Sequence, residues 1–356
     1  MDPVSLVPAP DALPVHWLWL QLFLTVTTFL HLVAMNVLLG SGYVAFVSSF
    51  TRKEGAHILS KKIGEKLPFV LAFTINFGVA PLLFLQTLYG QFFYTSTVLM
   101  ASYWMAIVGL LIVTYYAAYV FHLRFDALAH LRTFVIGFAF LLLLVISFFF
   151  TNNISLMQMP ESWSHYFANR NGWLVNYDDA TLFPRYLHFV VSGIAVGSLA
   201  VAVLYDYKKK RGDAEAVQWV KQGCRWFSIA TGVNFGIGFW FLGTLPPSTH
   251  DASTFVGMLF AVVLYGSIAS AAVSLVKAMT YRVIPAAIWT LLTVFLMVVA
   301  RDLVRISYLK PFLSLSDLPV TPQYSPFVLF IVFFVGVGFL VRWLLHVACK
   351  SKEVNP

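Results

Sequence analysis

Two histidines lie inside long apolar runs of this chain and carry most of its chemical potential. His31 falls in TTFLHLVAMNVLLG and His188 in FPRYLHFVVSGIAVG. An imidazole is expensive to bury in hydrocarbon, so such a residue reads as a functional site with a partner. Haem iron suits it well: a neutral imidazole ligates iron, and a methionine thioether can fill the opposite axial position. For His188 the thioether expected from sequence is Met258, because both fall about two turns below the same membrane surface. A haem there would turn its propionates to that surface, where Arg185, Arg301 and Arg305 could neutralise them. Gly193 and Gly197 lie one to two turns beyond His188 near the same face and would leave a gap for a flat macrocycle. The plainer alternative is a histidine hydrogen-bonded to a carbonyl and a methionine that fills the core. For His31 the two readings are balanced on the residues alone.

The remaining histidines, His16, His57, His122, His130, His165, His250 and His346, fall at the ends of apolar runs or in loops, where a solvated role is the default. Asp302 is the one carboxylate well inside an apolar run. Flanked by Arg301 and Arg305, it reads as an ion-pair partner. Proton-consuming sites in membranes use chains of acids, and the runs hold none.

The elements that must position these residues are membrane helices. The chain is 60% hydrophobic and 11% charged, with 34 phenylalanines among 356 residues, and its mean hydropathy is +0.81. A soluble domain cannot hide that much apolar surface. Runs long enough to cross a bilayer fall at roughly 15–50, 67–90, 92–122, 127–150, 183–206, 219–244, 252–277, 283–306 and 325–349. The expected fold is all-α: one polytopic membrane domain of nine helices. Of the 23 Lys and Arg residues, 18 fall in the segments 51–66, 122–132, 207–225 and 277–282 and at the C-terminus. The other five are Arg170, Arg185, Arg301, Arg305 and Lys310. By the positive-inside rule the N-terminus is outside and the C-terminus cytoplasmic. The basic charge is therefore a topology signal, and nucleic acid is not a partner. The start of the chain lacks a basic region and a cleavage site, so the first span reads as a retained helix. Cys224 and Cys349 lie far apart in apolar runs, with no disulfide framework, zinc spacing or covalent-haem motif. The outer segment 151–182, with Trp163, Tyr166, Trp173 and Tyr177, reads as an interfacial cap. The pairs Gly193/Gly197 and Gly232/Gly236 would let helices approach closely.

These stretches together resemble subunit I of the cytochrome bd quinol oxidases, clearly over about 15–205 and more weakly over 215–310. The resemblance rests on LQLFLTVTTFLHLVAMNVLLG, INFGVAPLLFLQTLYG, NNISLMQMP and YLHFVVSGIAVG, in that order, and on the nine-helix layout. It implies that His31 matches the ligand of an active-site haem, while His188 and Met258 match the ligands of a low-spin haem b. The departures are as informative. The family's second-span glutamate falls at Gln86, and the arginine two residues before the methionine is Val256. The glutamate that ligates the second active-site haem falls at Arg301, in VVARDLVR. The G-R-Q-P-W signature and the third-span acid are absent, and the quinol-binding loop has shrunk to LPPSTHD. An arginine cannot ligate iron, and its charge disfavours a ferric neighbour.

The expected function is thus a haem b-containing electron-transfer subunit of a respiratory complex in the bacterial inner membrane, with one haem and room for a second. It would relay electrons between the quinone pool and periplasmic cytochromes or iron–sulfur proteins, beside other subunits that include a homologous bd-like chain. Two alternatives stand beside it: a terminal quinol oxidase with altered ligands, and a haem-free structural subunit paired with a homologous cytochrome.

Overall fold

The structure, a computed structural model, describes residues 3–51, 54–168, 170–213 and 215–354, with side chains described over 5–51, 55–168, 170–213, 215–344 and 346–347. The side chains of Cys349 and of the basic residues Arg52, Lys53, Lys350 and Lys352 in the segments counted above lie outside the described residues. The described residues form ten α-helices: α1 (Trp17–Phe50), α2 (Glu54–Gly64), α3 (Leu67–Leu99), α4 (Ala101–Leu123), α5 (Leu131–Gln158), α6 (Leu182–Lys209), α7 (Ala216–Thr244), α8 (Phe255–Met279), α9 (Val283–Leu309) and α10 (Tyr324–Val354). All but α2 are long and apolar enough to cross a membrane. Among the described residues there is no strand, only an isolated bridge between Leu13 and Val320. Helices suit this sequence because hydrocarbon offers the backbone no partner, so each segment must satisfy its own N–H and C=O groups.

The apolar runs and the helices agree in number, while three boundaries move. Gly90 in the sequence marks a break between the second and third spans, yet α3 continues to Leu99 and only kinks. Pro81 withdraws one hydrogen bond, and Tyr89 leaves helical geometry at φ −130°, ψ 29°. The next span therefore begins at Ala101. The fourth span runs past 150 to Gln158, because its polar end TNNISLMQ is helical and buried.

The helices alternate in direction, so the bundle has a basic end, with the Lys- and Arg-rich connections, and a far end. At the far end the segment after α5 folds back as a cap. Trp163 is 2% exposed, and its Nε1–H donates to the Leu156 carbonyl at 2.7 Å. Trp173 and Tyr177 remain exposed.

α1 and α6 run parallel and meet closely. A Cβ on Gly40 would fall 2.2 Å from the Gly193 carbonyl oxygen and 2.7 Å from Gly197 Cα. Gly193 and Gly197 thus serve helix contact, and the gap they were expected to leave for a macrocycle is filled by α1. Gly232 and Gly236 face open space instead of a neighbouring helix. α6 pairs along its length with α7, and α8 with α9. α10 lies against the bundle through Phe327, Phe330 and Phe334, which pack on Trp19 and Phe23 of α1 and Phe84 of α3.

Candidate functional site

The two hairpins α6–α7 and α8–α9 do not close on each other, and a cavity lies between them. It offers about 220 Å³ to water-sized molecules, and its lining is overwhelmingly apolar. One ordered water needs about 10–15 Å³ of such space and two to four polar partners. The polar groups here are too few to hold the number of waters that would fit, so the space suits a bulky apolar ligand.

His188 lines this cavity from α6. Its Nδ1 is buried without a hydrogen bond; the interaction with the Asn234 backbone falls short of hydrogen-bond geometry. The ring lies 6.2 Å from that of Phe241. Gly238 of α7 leaves the space beside it, since a Cβ there would stand 3.3 Å from the imidazole Cε1. One turn below, the Asn234 side-chain amide donates to Ser192 Oγ at 2.7 Å.

Two arginines reach the same cavity. Arg185, 4% exposed, is one turn from His188 toward the far end. Its Nη2 donates to Thr181 Oγ1 at 2.6 Å, its Nη1 lies 3.7 Å from Asp179 Oδ2, and its guanidinium stands 5.6 Å from the Phe241 ring centre. At 3.7 Å the carboxylate neutralises without hydrogen-bonding, and Nη1 has no acceptor. Asp179 is itself fixed. Thr181 donates to it through its backbone N–H and its hydroxyl, and Ser155 donates through its own hydroxyl at 2.6 Å. Asn176 and Asn152 complete this buried network. The NNIS stretch of α5 therefore anchors the carboxylate that holds Arg185, a role not apparent from the motif alone. Arg301, on α9, also lines the cavity. Among the described residues it makes no hydrogen bond and no ion pair, with Asp302, Arg305 and Arg185 the charges within reach.

The other expected site residues lie elsewhere. Met258 is 51% exposed on the outer face of α8 and does not line the cavity. Gly257 takes the inward position there, packed on the turn in which Thr254 caps the helix. The structure therefore does not bring Met258 to His188, although both lie near the far end. Arg305 is also away from the cavity. It is 1% exposed, ion-paired with Asp302 at 2.5 Å and stacked on Tyr89 at 4.7 Å. Asp302 further accepts hydrogen bonds from Gln21 Nε2 at 3.0 Å and Thr25 Oγ1 at 2.6 Å. This set joins α9 to α1 and α3 and leaves Arg305 no free charge for a ligand. The ion-pair role expected of Asp302 is the one it has.

His31 faces α3. Its Nδ1–H donates to the Thr74 carbonyl at 3.0 Å, and its ring packs where Gly78 lacks a side chain. This bond leaves Nε2 as the nitrogen with a free lone pair, the tautomer that a metal-ligating histidine adopts. His31 does not line the His188 cavity, although its neighbours Leu32 and Asn36 do. Of the peripheral histidines, His16 caps α1 by accepting from the Leu18 N–H, and His165 meets Asp178 at the surface.

Sequence reasoning missed Met297. It lines the cavity from α9, one turn from Arg301. The signal was its i, i+4 spacing to an intramembrane arginine. Among the described residues no three His, Cys, Asp or Glu gather to hold a bare metal ion. Comparison of the chain with protein-family models gave no match, and comparison with curated proteins gave none either.

Proposed function

We propose that this multi-pass membrane protein is a haem b-binding electron-transfer subunit of a respiratory complex in a bacterial inner membrane, related to subunit I of the cytochrome bd oxidases. One observation carries the reading. A buried histidine whose Nδ1 makes no hydrogen bond shares an apolar cavity with Arg185, whose Nη1 lacks an acceptor, and with Arg301, which has no hydrogen bond or ion pair among the described residues. An imidazole, two cations and a greasy slot fit a porphyrin with its two propionates. Haem would supply a reversible one-electron couple. His188 would hold it, Arg185 and Arg301 would neutralise its carboxylates, and Phe241 and Gly238 would set the plane available beside the imidazole. The positive-inside pattern supports an N-out orientation, which places the arginines toward the periplasmic surface and its redox partners.

The cavity continues toward the basic end past Phe227, Ala271, Ser274 and Thr290. The hydroxyls of α8 and α9 there are already satisfied: Ser274 bonds the Ala286 carbonyl and Thr290, and Ser270 bonds Thr293. This arm suits an apolar chain, such as the isoprenoid tail of a quinone that supplies the electrons. With Arg301 in place of a carboxylate, and with Asp179 and Asp302 the only buried acids among the described residues, oxygen reduction is not part of the proposed activity.

The test is a reduced-minus-oxidised visible spectrum of the complex purified from haem-replete cells. A b-type α-band that disappears in His188→Ala is the expected result. Absence of a Soret band from the wild-type complex would sink the haem reading.

A further inference from the structure

We infer that Met297, and not Met258, is the residue that would hold the haem iron together with His188; the inference rests on the haem reading above. His188 and Met297 line the same cavity from different hairpins, one on α6 and the other on α9. Among the described residues that line it, Met297 is the one thioether, and there is no other histidine and no cysteine. Met258 faces away from the cavity.

The arginines give a second, independent reason. α6 runs from the far end to the basic end, and α9 runs the opposite way. Arg185 precedes His188 by three residues, and Arg301 follows Met297 by four. In both cases the arginine is therefore one turn nearer the far end than the candidate ligand, on the same face of its helix. Each wall thus presents a ligand with a cation above it. A macrocycle held between the two ligands would then meet a guanidinium on either side at its propionate edge. Neither guanidinium is fully used by the protein. Among the described residues Arg185 Nη1 has no hydrogen bond, and Arg301 has neither a hydrogen bond nor an ion pair. Met258 has no arginine in the corresponding place, since Val256 and Leu259 through Val263 are its neighbours along α8.

The chemistry follows from the pair. A thioether is a soft ligand that favours ferrous iron, so His/Met ligation gives a low-spin centre of raised potential. The site would then be saturated by protein ligands and closed to small exogenous ligands, as an electron relay requires.

Met297→Leu and Met258→Leu test this on the whole complex, since leucine keeps the volume and costs little packing. In Met297→Leu the band should persist through His188, the ferric sulfur-to-iron charge-transfer feature should vanish, the midpoint potential should fall, and reduced protein should acquire carbon monoxide binding. Met258→Leu should match wild type in all four readouts. A haem spectrum unchanged by Met297→Leu, or the same losses in Met258→Leu, would overturn the assignment while leaving the haem reading intact. Carbon monoxide binding by the wild-type complex that is lost in His188→Ala would overturn it too. A wild-type complex without a Soret band would remove both proposals together.

Discussion

Arg301 and Arg305 stand one turn apart on α9 and have opposite surroundings. Arg305 is enclosed by Asp302 and Tyr89, whereas Arg301 enters the cavity with no carboxylate of its own. The single acid of this span thus neutralises one arginine and leaves the other for a ligand. That division separates a structural pair from a binding group on the same helix.

Removing Arg305 should therefore test stability and leave the cavity alone. Arg305→Met strands Asp302 with only Gln21 and Thr25 as donors, and an uncompensated buried charge costs about 3–5 kcal/mol. Thermal unfolding in detergent should show a clear fall in Tm, largely restored by adding Asp302→Asn. A single variant as stable as wild type would show that the pair does not hold α9 to α1.

Asp179 acts on the cavity through Arg185. Asp179→Asn removes a negative charge from beside the Arg185 guanidinium and leaves its positive charge uncompensated at the cavity that the proposed haem would fill. Uncompensated positive charge favours the reduced state, so the midpoint potential should rise. At an effective dielectric constant near 20, one unit charge acting across a site of this kind is worth on the order of 1 kcal/mol, or tens of millivolts. Potentiometric titration measures it, and a fall in potential would contradict the placement of Arg185.

The α1–α6 contact makes a sharp packing prediction. Gly40→Ala puts a methyl group against the backbone of Gly193 and Gly197, which cannot move aside as a side chain would. A loss of about 1–3 kcal/mol is expected. Gly232→Ala, which meets open space, should cost close to nothing. Equal Tm values for the two variants would refute the close approach.

The arm of the cavity toward the basic end can be blocked separately. Ala271→Phe should slow reduction of the haem band by added quinol several-fold while leaving its intensity unchanged. Stopped-flow absorbance reads the rate. An unchanged rate would place the quinone chain elsewhere.

The sequence made the nine spans legible because hydrocarbon imposes long uninterrupted apolar runs, and it made Asp302 legible because a buried acid must find a cation. It placed His188 on the fifth span and Met258 on the seventh, the helices α6 and α8 that carry them. What it did not contain was rotation. The serines Ser267, Ser270 and Ser274 mark the inner face of α8 only toward the basic end; around Met258 the helix is apolar on every side, so nothing there tells the cavity face from the exposed face, and Met258 turned out to lie on the latter. The kink at Tyr89 was hidden for a related reason: Gly90 reads as a stop, whereas neighbouring helices let α3 bend and continue. The fit of Gly40 to Gly193 and Gly197 needed the third dimension, because small residues announce a close approach without naming the partner.

That glycine contact also works as a ruler. His31 precedes Gly40 by nine residues, and His188 precedes Gly197 by nine. Because α1 and α6 run parallel and are pinned where those glycines meet, the two imidazoles are held at nearly the same depth by backbone against backbone. Side-chain repacking or a change of occupant on either side would alter that spacing little. Electron tunnelling falls off exponentially with distance, so a pair of redox centres mounted on these histidines would inherit a transfer rate set by the glycine seam.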